Sequence, residues 1–258
     1  MKIAFFSDIH ANLPALEATF TDIDQRKPDF IYCLGDLVGY NVWANEVVEQ
    51  IRQRRIPTLA GNYDEGVGLN SPDCGCAYKT DEDRDRGNQS IAYTNQIISD
   101  ENRAYLRQLP LHMRLEFELQ PQQKLNLLMV HGSPRKINEY LFEDRPEKSL
   151  LRLLEDANAD IMLFGHTHKP FHRELSYQHN GQTRYRHAIN LGSVGKPKDG
   201  DNRGCYALLT LDENINPTEQ EQLPLEFIRV SYDIEKAAKA VEESPLPNEF
   251  ADMLRKGI

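Results

Sequence analysis

The chain is expected to adopt an α/β fold in which two mixed β-sheets stack face to face with helices outside. Three observations support this. Apolar runs of strand length alternate with amphipathic helical segments through residues 1–60. From His112 the apolar period drops to two, as in half-buried antiparallel strands. Several of the strand-like runs end in Asp, Asn or His, the side chains that gather beyond the carboxyl ends of strands in open α/β sheets.

Ile3 to Phe6 form the first strand, followed by Ser7 and the Asp8-Ile9-His10 loop. In extended geometry Asp8 and His10, two apart, share a face. Asn12 is placed to cap a helix and Pro14 suits its first turn, with Leu13, Leu16, Phe20 and Ile23 at helical spacing. Pro28-Asp29 opens a second strand that ends at Gly35-Asp36, and Gly39 marks the loop beyond. Ala44, Val47, Val48 and Ile51 make the next amphipathic helix, and Pro57 opens a third strand running to Gly61-Asn62. This rhythm implies parallel strands joined by right-handed crossovers.

Residues 61 to 88 hold Gly66, Gly68, Pro72 and Gly75 and a charged run from Asp81 to Arg86, and read as a long irregular segment. Ile91, Asn95 and Ile98 restore helical patterning, and Ser99 or Asp100 caps a short helix through Leu106. Met113, Leu115, Phe117 and Leu119 alternate with polar residues, Gln120 to Gln123 turn, and Lys124–Val130 returns to His131. A helix with Leu150, Leu153, Leu154 and Ala157 starts at Pro146-Glu147, and strand 160–164 leads to Gly165-His166-Thr167-His168. Phe171–Tyr177 and Arg184–Asn190 form a hairpin across Asn180-Gly181. Two further strands, 205–211 and 225–232, precede a helix with Ile234, Ala237, Ala238 and Val241. Residues 1–243 are read as one domain with a lid or insert at 63–90, and 244–258 as a weakly patterned C-terminal tail.

The 258 residues carry a net charge of −10, so a broad basic surface for long nucleic acid is not expected. Metal ions can still neutralise a small phosphate ester locally. Four cysteines do not make a secreted disulfide framework. No apolar run approaches the ~20 residues of a membrane helix, and Asp8 arrives too early for a signal-peptide core. The end Leu254-Arg255-Lys256-Gly257-Ile258 lacks a prenylation cysteine. A cytoplasmic location is the expectation.

Of eight histidines, four (His10, His131, His166 and His168) fall in strand-end motifs beside Asp8, Asp36 and Asn62. Mixed carboxylate, imidazole and amide donors favour a transition ion over a calcium or magnesium cage. Seven side chains exceed the needs of one ion, so two ions sharing a carboxylate are expected.

In this order Asp8-x-His10, Gly35-Asp36, Gly61-Asn62, His131-Gly132 and Gly165-His166-Thr167-His168 resemble the calcineurin-like metallophosphoesterase superfamily. His131-Gly132-Ser133-Pro134 and Asn190-Leu191-Gly192-Ser193-Val194-Gly195 resemble its small bacterial and archaeal phosphodiesterase branch. The resemblance implies a four-layer αββα sandwich. It implies one metal on Asp8, His10, Asp36 and His168, a second on Asp36, Asn62, His131 and His166, and Asp36 as the bridge. Manganese is the first expectation, with iron, zinc, nickel or cobalt as alternatives. The implied activity is hydrolysis of a small or nucleotide-like phosphate ester, by in-line attack of a metal-bridging hydroxide. Alternatives are a dinucleoside polyphosphate hydrolase and a metal-binding interaction module, since the fold also serves as a scaffold in a retromer subunit.

One position departs from the superfamily. Gly61-Asn62-Tyr63-Asp64 stands where most members have a histidine after the asparagine, the residue usually assigned to the leaving oxygen. Tyr63 either donates a hydrogen bond there or packs over the site, and Asp64 is a supporting partner or a loop cap. Arg135 and Arg203 are candidates for phosphate contact, with Lys196 and Lys198 read as solvated charge. Lys79, Arg84 and Arg86 belong to a mixed-charge exposed lid. Cys74-Gly75-Cys76 reads as a loop turn, and Cys33 and Cys205 as core. His112, His172, His179 and His187 are expected outside the ligand set.

Overall fold

The strands run in chain order β1 (Lys2–Phe6), β2 (Phe30–Cys33), β3 (His112–Gln120), β4 (Gln123–Val130), β5 (Ile161–Phe164), β6 (Phe171–His179), β7 (Gln182–Asn190), β8 (Gly204–Thr210) and β9 (Leu225–Val230). The helices are α1 (Leu13–Arg26), α2 (Ala44–Gln53), α3 (Asn62–Gly68), α4 (Asp81–Ile97), α5 (Asp100–Leu106), α6 (Glu147–Asp156), α7 (Ile234–Glu242) and α8 (Glu249–Lys256). This computed structural model describes every residue except 79, 121, 122, 213, 214, 221 and 222. Two mixed sheets result, one ordered β2-β1-β8-β9 and the other β3-β4-β5-β7-β6.

Strand alternation sorts the apolar side chains into three layers of core. Ile3 and Phe5 of β1, Leu127 and Met129 of β4, and Ile161 and Leu163 of β5 meet between the sheets. Their neighbours Ala4 and Phe6 face the layer formed by α1, α2, α7 and α8. Leu128, Val130, Met162 and Phe164 face α6 through Leu150, Leu153 and Leu154. The whole of β5 is buried, which is why its run is apolar without alternation. The expected α/β sandwich of two helix-flanked sheets is therefore the observed one.

Local signals explain most boundaries. Asn12 accepts from Ala15 N at 3.2 Å and starts α1, and Ser99 does the same for α5 through Asn102 N. The β6–β7 hairpin turns at Asn180 and Gly181, both at positive φ, as a two-residue turn requires. The predicted turn at 120–123 falls partly outside the described residues, as does Lys79.

Three expectations need correction. The predicted third strand at Pro57–Ala60 is a single parallel bridge, Cys33 to Thr58. The chain leaves β2 at Gly35, and Ala60 N already bonds to the Pro110 carbonyl, so the ladder cannot lengthen. The segment 61–88, expected to be irregular throughout, is helical at both ends, in α3 and the start of α4. Thr80 caps α4 through Asp83 N, and the acidic residues read as a loop signal stand in its first turn, where the helix dipole favours them. The end of the chain is not a loose tail: α8 buries Phe250, Ala251 and Leu254 against the α1–α7 side. Among the described residues no helix is long and apolar enough to cross a membrane.

The inter-sheet layer sets stability. Phe5 is fully buried and stacks on Tyr32, whereas Phe30 is 51% exposed. Phe5→Ala is expected to cost about 3–5 kcal/mol in urea denaturation, and Phe30→Ala far less. Equal losses would mean that the sheets do not meet through Phe5.

Candidate metal centre

The loops just past β1, β2, β4 and β5 open onto one buried point. Five of the side chains delivered there sit on strained backbone: Asp8, His10, Asp36, His166 and His168 all have φ between 49° and 66°. Non-glycine residues in this region cost roughly 1–3 kcal/mol each, and such strain gathers at functional sites. The motif glycines allow the loops to approach one another. A Cβ on Gly61 would lie 2.0 Å from Asp36 Oδ1, and one on Gly165 would lie 2.3 Å from Asp8 Oδ2.

Asp8, His10, Asp36 and His168 offer one ligand atom each within 4.8 Å of one another, and so do Asp36, His131 and His166. Asp36 Oδ2 is 3.5 Å from His10 Nε2 and 3.3 Å from His131 Nε2, so one oxygen faces both groups. Its other oxygen accepts from Tyr63 N at 2.9 Å. Asp8 Oδ1 lies 3.1 Å from His168 Nε2. All seven predicted ligands, Asn62 included, are at most 3% exposed.

The hydrogen bonds settle which ring nitrogens face inward. Nδ1 of His10, His131 and His168 meet the carbonyls of Val38, Leu34 and Lys196 at 3.0, 2.8 and 2.6 Å. A carbonyl only accepts, so each Nδ1 carries a proton and in the neutral ring each Nε2 presents a lone pair. Beside Asp36 and Asp8 the metal-free His131 is pushed up to about 10 and holds a second proton against Asp36. His10 Nε2 and His168 Nε2 then face each other at 3.0 Å, and burial pushes both imidazoles away from protonation. Nε2 of His131 and His166 and Oδ1 of Asn62 are buried with no partner. Asn62 Nδ2 is tied to Cys74 O and Cys76 Sγ, which leaves Oδ1 for the site. Converging lone pairs with orphaned acceptors are what a pair of divalent cations would satisfy, so the residues fit the group.

Other residues hold the loops. Asp64 accepts from Leu37 N at 2.8 Å and from Gly61 N at 2.9 Å, tying the Asp36 and Asn62 loops together. Burial and the nearby Asp36 push its carboxyl up to about 7, against the two N–H groups. Asn190 donates to the Gly165 carbonyl, and Ser193 Oγ donates to the Asp8 carbonyl. Asp8 accepts from His166 N at 3.1 Å, which joins the first and last motifs.

Residues 1–214 match the family model for the calcineurin-like phosphoesterase superfamily domain. The chain belongs to the calcineurin-like phosphoesterase superfamily. An uncharacterized protein of Methanocaldococcus jannaschii, MJ0912, is 33% identical over 267 residues, covering 99% of this chain and 98% of that protein. The crystal structure of a metallophosphoesterase from Sphaerobacter thermophilus superposes with a TM-score of 0.73 at 27% identity, covering 100% of this chain and 99% of the other. The hypothetical protein PH1004 from Pyrococcus horikoshii OT3 shares the fold with a TM-score of 0.78 at 22% identity, over 100% of this chain and 98% of its own.

The remaining candidate residues sit against this centre or at the surface. Tyr63 is 1% exposed, packed edge-on against His10 at 5.4 Å and against Tyr40 at 4.8 Å. Its hydroxyl is buried, and burial raises its pKa well above the ordinary value, which keeps the phenol protonated. Arg135 turns to Glu139 and Arg203 to Asp201, both at the surface. The cations that line the mouth of the centre are Arg86, Lys169, Lys196 and Lys198. Lys196, read as solvated, is 3% exposed and caged by Tyr40, Phe250 and Met253 Sδ. Its signal in the sequence is only its place after Gly195, which gives no hint of α8 folding over it.

The close approach of Gly61 to Asp36 is testable by Gly61→Ala. The added methyl has backbone as well as carboxylate in its way, so a loss of about 1–3 kcal/mol is expected, together with a fall in bound divalent metal measured by elemental analysis. Unchanged stability and metal content would show that the loops have room to spare.

Proposed function

We propose that this superfamily member is a dimetal phosphodiesterase acting on small or nucleotide-like phosphate esters, with manganese as the preferred ion. The observation that carries the reading is Asp36 Oδ2, which faces His10 on one side and His131 on the other. Asp8, His10, Asp36 and His168 would hold one ion, and Asp36, Asn62, His131 and His166 the other. Bound there, two divalent ions supply an activated water and a positive field for the phosphoryl oxygens.

The chain's own part is orientation and charge. Val38, Leu34 and Lys196 carbonyls hold three imidazoles in the tautomer that ligates. Asp64 and Ser193 keep the loops in register, so the donors need not rearrange during reaction. A cavity of about 330 Å³ opens beside them, at the small end of the range for ligand sites. Lys196 and Lys198 line it too, and burial lowers the pKa of both below the ordinary lysine value. Tyr140 lies over His166 at 4.1 Å and stacks on the exposed Phe142 at 5.8 Å, a flat surface for an aryl group or a base. No imidazole stands where the superfamily's usual leaving-group residue would, so the substrate must carry a good leaving group.

The experiment is a manganese-reconstituted comparison of bis-p-nitrophenyl phosphate, p-nitrophenyl phosphate, 2′,3′-cyclic nucleotides, dinucleoside polyphosphates and a simple alkyl diester. Turnover of the aryl diester is expected, with the alkyl diester much slower and Asp36→Ala at background. Tyr63→Phe is expected to fall far short of the ~10²–10⁴-fold loss that removal of a general acid causes. Full metal loading with no turnover of any ester would favour an interaction module instead.

A further inference from the structure

A second group of metal-capable side chains lies away from that centre, on the β6–β7 hairpin. Glu174 pairs with His187 across the two strands, and His172 lies two residues before Glu174. All three therefore share one face, the face on which Ile189 packs between the sheets. One ring nitrogen of each histidine and one carboxylate oxygen lie within 4.8 Å of one another. His172 Nε2 is 2.9 Å from His187 Nδ1.

The tautomer of His187 is set from outside this group. Its Nε2 meets the Pro217 carbonyl at 2.6 Å, so Nε2 carries the proton and Nδ1 is a lone pair aimed at His172. A ring N–H given to a backbone carbonyl, with the other nitrogen turned inward, is how metal-ligating histidines are oriented. Burial favours the neutral, ligating form of both rings and brings the His172 pKa down to about 4.

We propose that His172 Nε2, His187 Nδ1 and the Glu174 carboxylate form a third cation site, for zinc or a similar divalent transition ion. Two imidazoles and one carboxylate, with water in the fourth position, match the donor set zinc takes in tetrahedral geometry. The site is independent of the dimetal centre. His187 is level with Ile161 at the start of β5, whereas His166 follows the end of that strand, roughly 10 Å further at ~3.3 Å per residue. The ion would clamp the edge strand β6 to β7. Through Pro217 it would also hold the segment that Tyr185 N and Arg184 bond at Thr218, each at 2.9 Å. A ligand that binds only the folded chain stabilises it, so the role is structural.

The competing arrangement is a plain hydrogen bond from His172 to His187. His172→Gln separates the two, because its amide can still donate to His187 Nδ1 but is a poor zinc ligand. Full-length wild type, His172→Gln and Glu174→Gln, stripped with chelator, would be dialysed against zinc, counted by elemental analysis and melted with and without the ion. The wild type is expected to retain one zinc more than either variant and to gain more in Tm from zinc. Bis-p-nitrophenyl phosphate turnover is expected to be equal in all three. Equal zinc content and equal zinc-induced shifts overturn the proposal. If His172→Gln does not fold, the half-buried Glu174→Gln decides by the same two readouts.

Discussion

The structure depends on a set of electron pairs turned toward one another in a dry interior. Two carboxylates and four imidazoles, none more than 3% exposed, converge from loops at the ends of four strands. Three of the imidazoles give one proton outward to a backbone carbonyl, which turns their Nε2 atoms toward the carboxylates within. Buried anionic and lone-pair groups persist when a cation compensates them. Much of the surrounding architecture serves that convergence: the glycines that let loops touch, the Asp64 link between two of them, and the Asp8 contact to His166 that joins the N-terminal strand to the second sheet.

Strain and packing divide the labour. The left-handed backbone at Asp8, His10, Asp36, His166 and His168 disfavours the folded chain locally. Apolar layers on both sides of each sheet over-determine the strands that carry these loops, so the loops have no freedom to relax. Phe6 and Phe164, one residue or two before the motifs they support, are fully buried. The same sandwich leaves the mouth of the centre to be built by elements distant in sequence, Tyr140 and Phe142 on one side and α8 on the other.

What could be read from the residues follows from this division. Most strand positions, the change of period at His112 and the candidate donors were legible because each is a local pattern: an apolar run, then Asp, Asn or His. Strain, by contrast, leaves no compositional trace at Asp8 or His166. The helix at Asp81–Ile97 was hidden because acidic residues favour a first helical turn as readily as a solvated loop. Arg135 and Arg203 looked suited to phosphate by their place after the motifs, but each has a carboxylate four or two residues away that captures it. The cation that does approach the mouth, Lys196, is enclosed by Tyr40, Phe250 and Met253, and no short stretch of sequence contains that arrangement.

The central claim is that Asp36 touches two cations at once. Anomalous diffraction from crystals grown with manganese tests it directly. The account predicts two peaks, one among Asp8, His10, Asp36 and His168 and one among Asp36, Asn62, His131 and His166, both against the Asp36 carboxylate. A fully loaded crystal with a single peak, or with peaks that leave Asp36 uncoordinated, would contradict it.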